Sequence, residues 1–401
     1  MDNIPERITV LKAVRRAHFV DPWFCSLYSC SPYRACGHGC VYCDGRAEKY
    51  HVDGDFEKPA VRENFPVLLR KELPLLREKG IIVVGSGITD VYQPAERKEK
   101  MMPRCLEIFL NNRFPVMVLT KSSLVERDLP LYRELSEKNG FILLVTVVTL
   151  DENIRRALEP GASPISERLD VIRRFSDAGC RVGALAMPIL PGLGDSPAEL
   201  EQLYKPLKGN GVSCVMTANL TLRPGRQKDL YFSTIKKFRP DLSELYQNLY
   251  RENRPSGNLV YEYRDRFYSA VSELLEKLRL PGIMPHSLIK GYVSLCDEIN
   301  IILDHLIWFY EHRSPQVGRL KTSVRKYESW LKETRVNFNR KRSLPPDYPE
   351  IMLRNIISSK KIDDIIQNRK LSAFLEDMVM NDRIWDCRDG MLKTREEINC
   401  A

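Results

Sequence analysis

The chain has no apolar run long enough to cross a membrane. Its longest, Phe141–Leu150, is about half of what a spanning helix needs. The segment Met1–Val20 has no continuous apolar core and no small-residue cleavage site, so no secretory signal is expected there. There is no internal repeat and no low-complexity tract, and a fibrous or collagen-like chain is excluded. A disulfide framework is missing as well. The eleven cysteines are odd in number, and five of them crowd between Cys25 and Cys43. Without an export signal, clustered cysteines point to a reducing, cytoplasmic compartment and to a metal or redox site. Acidic residues are scarce in one place. From Arg313 to Arg342, ten Lys/Arg stand against two Asp/Glu, which accounts for most of the net charge of +9. Such a stretch is either a solvated helical face or a surface for nucleic acid or another polyanion.

What is present suffices for a core. With 401 residues, 43% of them hydrophobic and 29% charged, the chain can bury one large domain plus an extension. Strand-like apolar runs recur at Ile81–Gly85, Pro115–Leu119, Phe141–Thr149, Arg181–Met187 and Val212–Leu220, with an earlier one near Trp23–Ser31. Their almost continuous apolar character is that of strands buried on both faces. Helical patterns fill the gaps at Val61–Glu78, Glu96–Asn111, Asp128–Lys138, Ser166–Ala178 and Pro197–Gly209, and Asp151 is placed to cap a short helix to Leu158. Six strand–helix units predict an α/β fold, a partial (β/α)6 TIM-like barrel, with a doubly wound sheet as the alternative. Past Pro240 the pattern becomes helical, and Ser343–Pro349 reads as a linker. The expected division is an N-terminal segment (1–20), a barrel (21–285) and a helical, basic C-terminal extension (286–401).

The densest chemistry lies in Cys36-Gly37-His38-Gly39-Cys40-Val41-Tyr42-Cys43, a C-x3-C-x2-C spacing. Three thiolates on a loop loosened by glycines can wrap one face of a [4Fe–4S] cluster and leave one iron open to a small chelating molecule. Two other arrangements stay open: a zinc site from Cys36, His38, Cys40 and Cys43, or a closed cluster with Cys30 as fourth ligand. Cys105, Cys180, Cys214 and Cys296 lie in apolar segments and read as core.

This spacing, with Tyr42 before the last cysteine and at the end of the first strand of a six-unit domain, resembles the radical S-adenosylmethionine (SAM) superfamily. The strings Tyr33–Asp44, Thr89–Glu96 (TDVYQPAE), Leu119–Ser122 (LTKS), Leu158–Pro160 (LEP) and Pro188–Gly192 (PILPG) narrow the resemblance to its spore photoproduct lyase-like branch, over about Asn3 to His312. The resemblance implies a [4Fe–4S] cluster on Cys36, Cys40 and Cys43. It implies SAM as second cofactor, cleaved reductively to a 5′-deoxyadenosyl radical, and a one-electron donor of flavodoxin or ferredoxin type. It also implies SAM contacts at Tyr42, Ser86, Gly87, Thr89, Lys121, Thr149, Glu159 and Arg168, and places Arg223 at the end of the sixth strand towards substrate. The substrate stays open: nucleic acid, in a lyase or repair-like reaction, as the branch and the basic segment suggest, or a small molecule or peptide. A non-catalytic iron–sulfur or zinc protein that binds nucleic acid is the competing reading, but it would not need polar residues at several strand ends.

Two departures stand out. The branch's namesake carries a hydrogen-donor cysteine in a Cys-Thr-Ser-Asp string, and the matching string here is Gly87-Ile88-Thr89-Asp90. It also has a tyrosine after the last cluster cysteine, where this chain has Asp44. His286 is a candidate either for the substrate side of the barrel or for a structural role, and His305 sits in an apolar helix.

Overall fold

The computed structural model describes residues 5–52, 54–85, 87–311 and 317–399. By contact density the chain divides into two compact units. One comprises Met1–Arg15, Ser29–Pro74 and Ile82–Gly282, and the other Arg16–Tyr28, Leu75–Ile81 and Ile283–Ala401.

Six strands carry the fold's main sheet: β1 (Ser26–Cys30), β2 (Ile81–Val84), β3 (Val116–Thr120), β4 (Phe141–Thr146), β5 (Arg181–Ile189) and β6 (Val215–Asn219). They lie side by side in chain order, and the pairs from β2 to β6 are all parallel. Every residue of β2, β3 and β4 is buried, as their unbroken apolar runs require. Consecutive order decides between the two topologies the pattern left open. A doubly wound sheet reverses its strand order at a switch point, whereas adding each strand on the same side winds a barrel. The fold is therefore a partial TIM-like barrel, and all five parallel strand ends open on one edge.

The helices between strands fall where the sequence puts them, with two informative differences. The run Glu96–Asn111 is broken: Lys100 adopts a left-handed conformation, and helices Glu96–Glu99 and Met101–Asn112 lie on either side. Pro103 cannot lie inside a continuous helix and falls in the first turn of the second one, whose Met101 and Met102 amides are accepted by the buried Glu96 carboxylate at 2.9 and 3.0 Å. Helix Phe65–Glu72 is shorter than its pattern, because Ala60–Arg62 is a strand and Pro74 falls in a 3-10 turn, Leu73–Leu75, that follows the helix; Glu72 accepts the Ala13 and Val14 amides. Helix Glu152–Leu158 is capped by Asp151, which accepts the Asn153 amide at 2.7 Å.

The second unit is mostly helical. Helices Leu295–Glu311, Val317–Arg340, Tyr348–Ser358 and Arg369–Met380 enclose a core containing Ile299, Leu303, Tyr327, Leu331, Leu353 and Leu375. A small hairpin, Ile384–Trp385 with Leu392–Lys393, closes it and has no counterpart in the sequence reading. The basic helix is not uniformly a surface. Arg335 is buried, donating from Nε to Glu78 at 2.7 Å and from Nη2 to Asp297 at 2.6 Å. His286 is structural: Nε2 meets Glu298 at 2.9 Å, and Nδ1 accepts the Trp385 amide at 2.9 Å. His305 is held by the Pro22 carbonyl, and burial pushes its pKa down to about 4. No helix among the described residues is long and apolar enough to cross a membrane.

Sheet packing gives one test. An added Cβ at Gly183, in β5, would lie 2.8 Å from both the Cys214 thiol and Leu144 Cδ2. Gly183→Ala is expected to lower stability by about 1–3 kcal/mol through overpacking. A reduced urea midpoint at unchanged slope is the signature.

Candidate radical SAM active site

The cysteine loop follows β1 and is anchored from several strand ends. Asp90, after β2, is the central anchor. Its carboxylate accepts from the Tyr92 amide (2.8 Å), Thr120 Oγ1 (2.9 Å), the Lys121 amide (2.7 Å) and His38 Nε2 (3.0 Å). Burial pushes its pKa up, but the His38 ring and the two amides outweigh this and hold it below the ordinary carboxylate value. His38 Nδ1 donates to the Gly161 carbonyl at 2.8 Å, and the Gly161 amide donates to the His38 carbonyl at 2.8 Å. Gly161 is required here, since a Cβ would stand 2.7 Å from the Gly37 carbonyl oxygen. Gln93 accepts the Gly37 amide at 2.7 Å, Arg46 donates to the Cys40 and Gly39 carbonyls, and Gln227 donates to the Tyr42 carbonyl.

The donor set left for a metal is all sulfur. Both ring nitrogens of His38 are engaged by oxygens, Nδ1 by the Gly161 carbonyl and Nε2 by Asp90, which leaves the three thiols as the loop's unengaged donor set. Among the described residues, no three His, Cys, Asp or Glu side chains converge on a single ion. Three thiols on one loop match the ligand type that an iron–sulfur cluster takes. Cys36 and Cys40 are buried and Cys43 half-buried. Burial pushes each thiol up to about 12. Free thiolates are thus disfavoured at neutral pH, and deprotonation would accompany metal binding.

A second buried constellation lies beside the loop. Glu159 is fully buried and meets three partners: the Tyr42 hydroxyl, which donates to Oε1, Lys121 Nζ at 3.3 Å and Arg168 Nη2 at 2.6 Å. Burial raises its pKa, yet Lys121 and Arg168 more than reverse this, to about 2. Tyr42 moves the other way, driven up by burial and then by the Glu159 charge, so it remains a donor. Arg168 is further tied to the Ser163 and Thr146 carbonyls.

The structure thus gathers four of the residues implied by the resemblance: Tyr42, Lys121, Glu159 and Arg168. Thr149 is buried at the end of β4 and accepts the Asp151 amide at 3.0 Å. Thr89 is buried after β2, and Gly87 is exposed with open space around its α-carbon. Ser86 lies outside the described residues. Arg223, after β6, donates to Asp44 at 2.8 Å, and Tyr50 donates to the other oxygen at 2.6 Å. Reading the sequence missed the roles of Asp90, Gln93, Gly161 and Gln227. The first two sit inside a motif string, but only their distant partners reveal their work.

A partial parallel barrel with a three-cysteine loop after its first strand defines a class, and the comparisons agree. Residues 30–205 match the profile of the Radical SAM superfamily. Uncharacterized protein Rv2578c of Mycobacterium tuberculosis is 30% identical over 262 residues, covering 64% of this chain and 75% of that protein. Uncharacterized protein MJ0683 of Methanocaldococcus jannaschii is 28% identical over 170 residues, covering 42% and 62%. Spore photoproduct lyase complexed with dinucleoside spore photoproduct shares the fold, with a TM-score of 0.50 at 18% identity over 67% of this chain and 78% of the other. The chain belongs to the radical SAM superfamily and is a radical SAM enzyme with a spore photoproduct lyase-like fold. Enzymes of this superfamily use a [4Fe–4S] cluster and SAM.

Glu159 makes stability depend on pH in a defined sense. An unfolded glutamate takes up its proton near its ordinary value of 4.5, while folded Glu159 stays ionised down to about 2. Its contribution is complete above about pH 5 and is lost as pH falls towards 2, roughly 3 kcal/mol in all. Glu159→Gln is expected to flatten the acid limb of a plot of urea midpoint against pH by that order, and to be less stable at pH 7.

Proposed function

We propose that Cys36, Cys40 and Cys43 hold the [4Fe–4S] cluster, that the polar strand ends beside them hold SAM, and that the substrate is nucleic acid. The observation that carries the cluster assignment is the all-sulfur donor set on a loop whose histidine is consumed by Asp90 and Gly161. When both cofactors are bound, they supply a 5′-deoxyadenosyl radical for hydrogen abstraction. The chain's own residues position and enclose. Asp90 and Gly161 hold the loop's shape, so the three thiols are arranged before a metal arrives. Lys121, with one carboxylate between it and Arg168, leaves an uncompensated positive charge suited to the methionyl carboxylate of SAM. Gly87 leaves room for backbone approach, and Thr89 and Thr149 offer hydroxyls at neighbouring strand ends. Arg168 is tied into the fold on all sides and serves to orient Glu159.

The substrate assignment rests on two supports: the fold shared with an enzyme solved with a dinucleoside spore photoproduct, and the basic helix of the second unit. The departures at Gly87 and Asp44 separate its chemistry from that lyase. A glycine α-carbon has no thiol hydrogen to return to a product radical.

The test is anaerobic reconstitution followed by dithionite reduction with SAM. The native chain is expected to take up close to four irons per chain, to show the absorbance of an iron–sulfur cluster, and to release 5′-deoxyadenosine. Cys40→Ala is expected to lose both the cluster and the nucleoside. A Cys40→Ala chain that keeps a full cluster and cleaves SAM would sink the ligand assignment.

A further inference from the structure

The basic stretch and a cavity beside it form one surface in the second unit. Helix Val317–Arg340 buries Val324, Tyr327, Leu331, Arg335 and Phe338 along one side. Its opposite arc exposes Arg319, Arg325, Lys332 and Arg340, against two carboxylates of this helix, Glu333, which is exposed, and Glu328, which is half-buried near Arg325. The exposed cations recur over about six turns, or roughly 30 Å, the length of several nucleotides of backbone. At the start of this helix is an open cavity of about 310 Å³, lined by Tyr310, Leu320, Leu371 and Phe374, with Arg319 and Lys370, and no carboxylate, among its described lining residues. Tyr310 is 41% exposed, with its ring held edge-on against Phe309. An apolar, aromatic-walled cavity with cations at hand and a cationic track leading away has the chemistry of a single nucleic-acid strand: base in the cavity, phosphates on the track.

We propose that this surface binds single-stranded nucleic acid, with an unstacked base seated between Tyr310 and Phe374 and the backbone following Arg319, Arg325, Lys332 and Arg340. It deepens the nucleic-acid reading given above and needs no metal for its test. An apolar partner would leave the cations unused, and a duplex could not deliver a base into the cavity without unpairing it.

Fluorescence anisotropy of the reconstituted full chain with a labelled twelve-nucleotide DNA, titrated with salt, provides the test. The native chain is expected to bind the single strand at least tenfold more tightly than the matching duplex, with affinity falling steeply as salt rises. Arg325→Glu/Lys332→Glu is expected to weaken binding about tenfold or more and to reduce the salt slope by roughly two. Tyr310→Ala is expected to weaken binding several-fold at unchanged salt slope, and, because Tyr310 is half exposed, to keep the native melting temperature nearly unchanged. Equal affinity for strand and duplex, or full affinity in the doubly reversed variant, would overturn the proposal. A chain that cleaves SAM but binds no oligonucleotide overturns this inference and leaves the radical SAM assignment standing.

Discussion

The arrangement of the site depends on one buried carboxylate. Asp90 sits where the second strand ends, and its two oxygens take a hydroxyl and an amide from the end of the third strand, an amide from its own turn, and the ring of His38 in the cysteine loop. A carboxylate removed from water this completely would cost several kcal/mol if left unpaired. Satisfied by charge-assisted bonds, it becomes a rigid junction. The loop that carries the cysteines has little secondary structure of its own, so its shape is inherited from the sheet edge through this junction. His38 passes the constraint on to Gly161, beyond the fourth strand, where a side chain would collide with the loop backbone.

The neighbouring Glu159 constellation works by a different balance. One carboxylate faces two cations and a phenol, so the group as a whole carries an excess positive charge. The two cations are not equivalent. Arg168 is almost entirely enclosed and also serves backbone carbonyls, whereas the Lys121 side chain is 16% exposed. Arg168 therefore reads as the partner that fixes Glu159 in place, and Lys121 as the cation left to meet a ligand. That ordering separates two residues which the resemblance treats alike.

Much of this fold was legible because buried parallel strands leave a local signature. Ile81–Val84 and Phe141–Thr146 are unbroken apolar runs, and few other structures demand that. The cysteine spacing was legible for the same reason, since a loop ligand set is short-range. What escaped was long-range. Nothing near Asp90 in the chain announces that His38 and Thr120 converge on it. Lys100 gives no sign that Glu96 will cap the next helix, although Pro103 just beyond it marks the break. Arg335 looked like one more surface charge in a basic run, but Glu78 and Asp297, far away in sequence, draw it inside. Periodicity reports which face is buried, and it is silent about which charges will meet across a core.

The elements shared with the spore photoproduct lyase-like branch and the departures from it separate by position. The motif strings that carry the resemblance supply Asp90, Gln93, Lys121 and Glu159, which shape the loop and the charged group beside it. The departures are Gly87, exposed beyond the second strand, and Asp44, directly after the last cysteine. Asp44 is not an isolated change. Its oxygens are held by Arg223 from the end of the sixth strand and by Tyr50. A tyrosine there would replace the ion pair with Arg223 by a neutral contact. The positions that differ from the branch thus lie at Gly87 and Asp44, while the motif strings around Asp90 and Glu159 are kept.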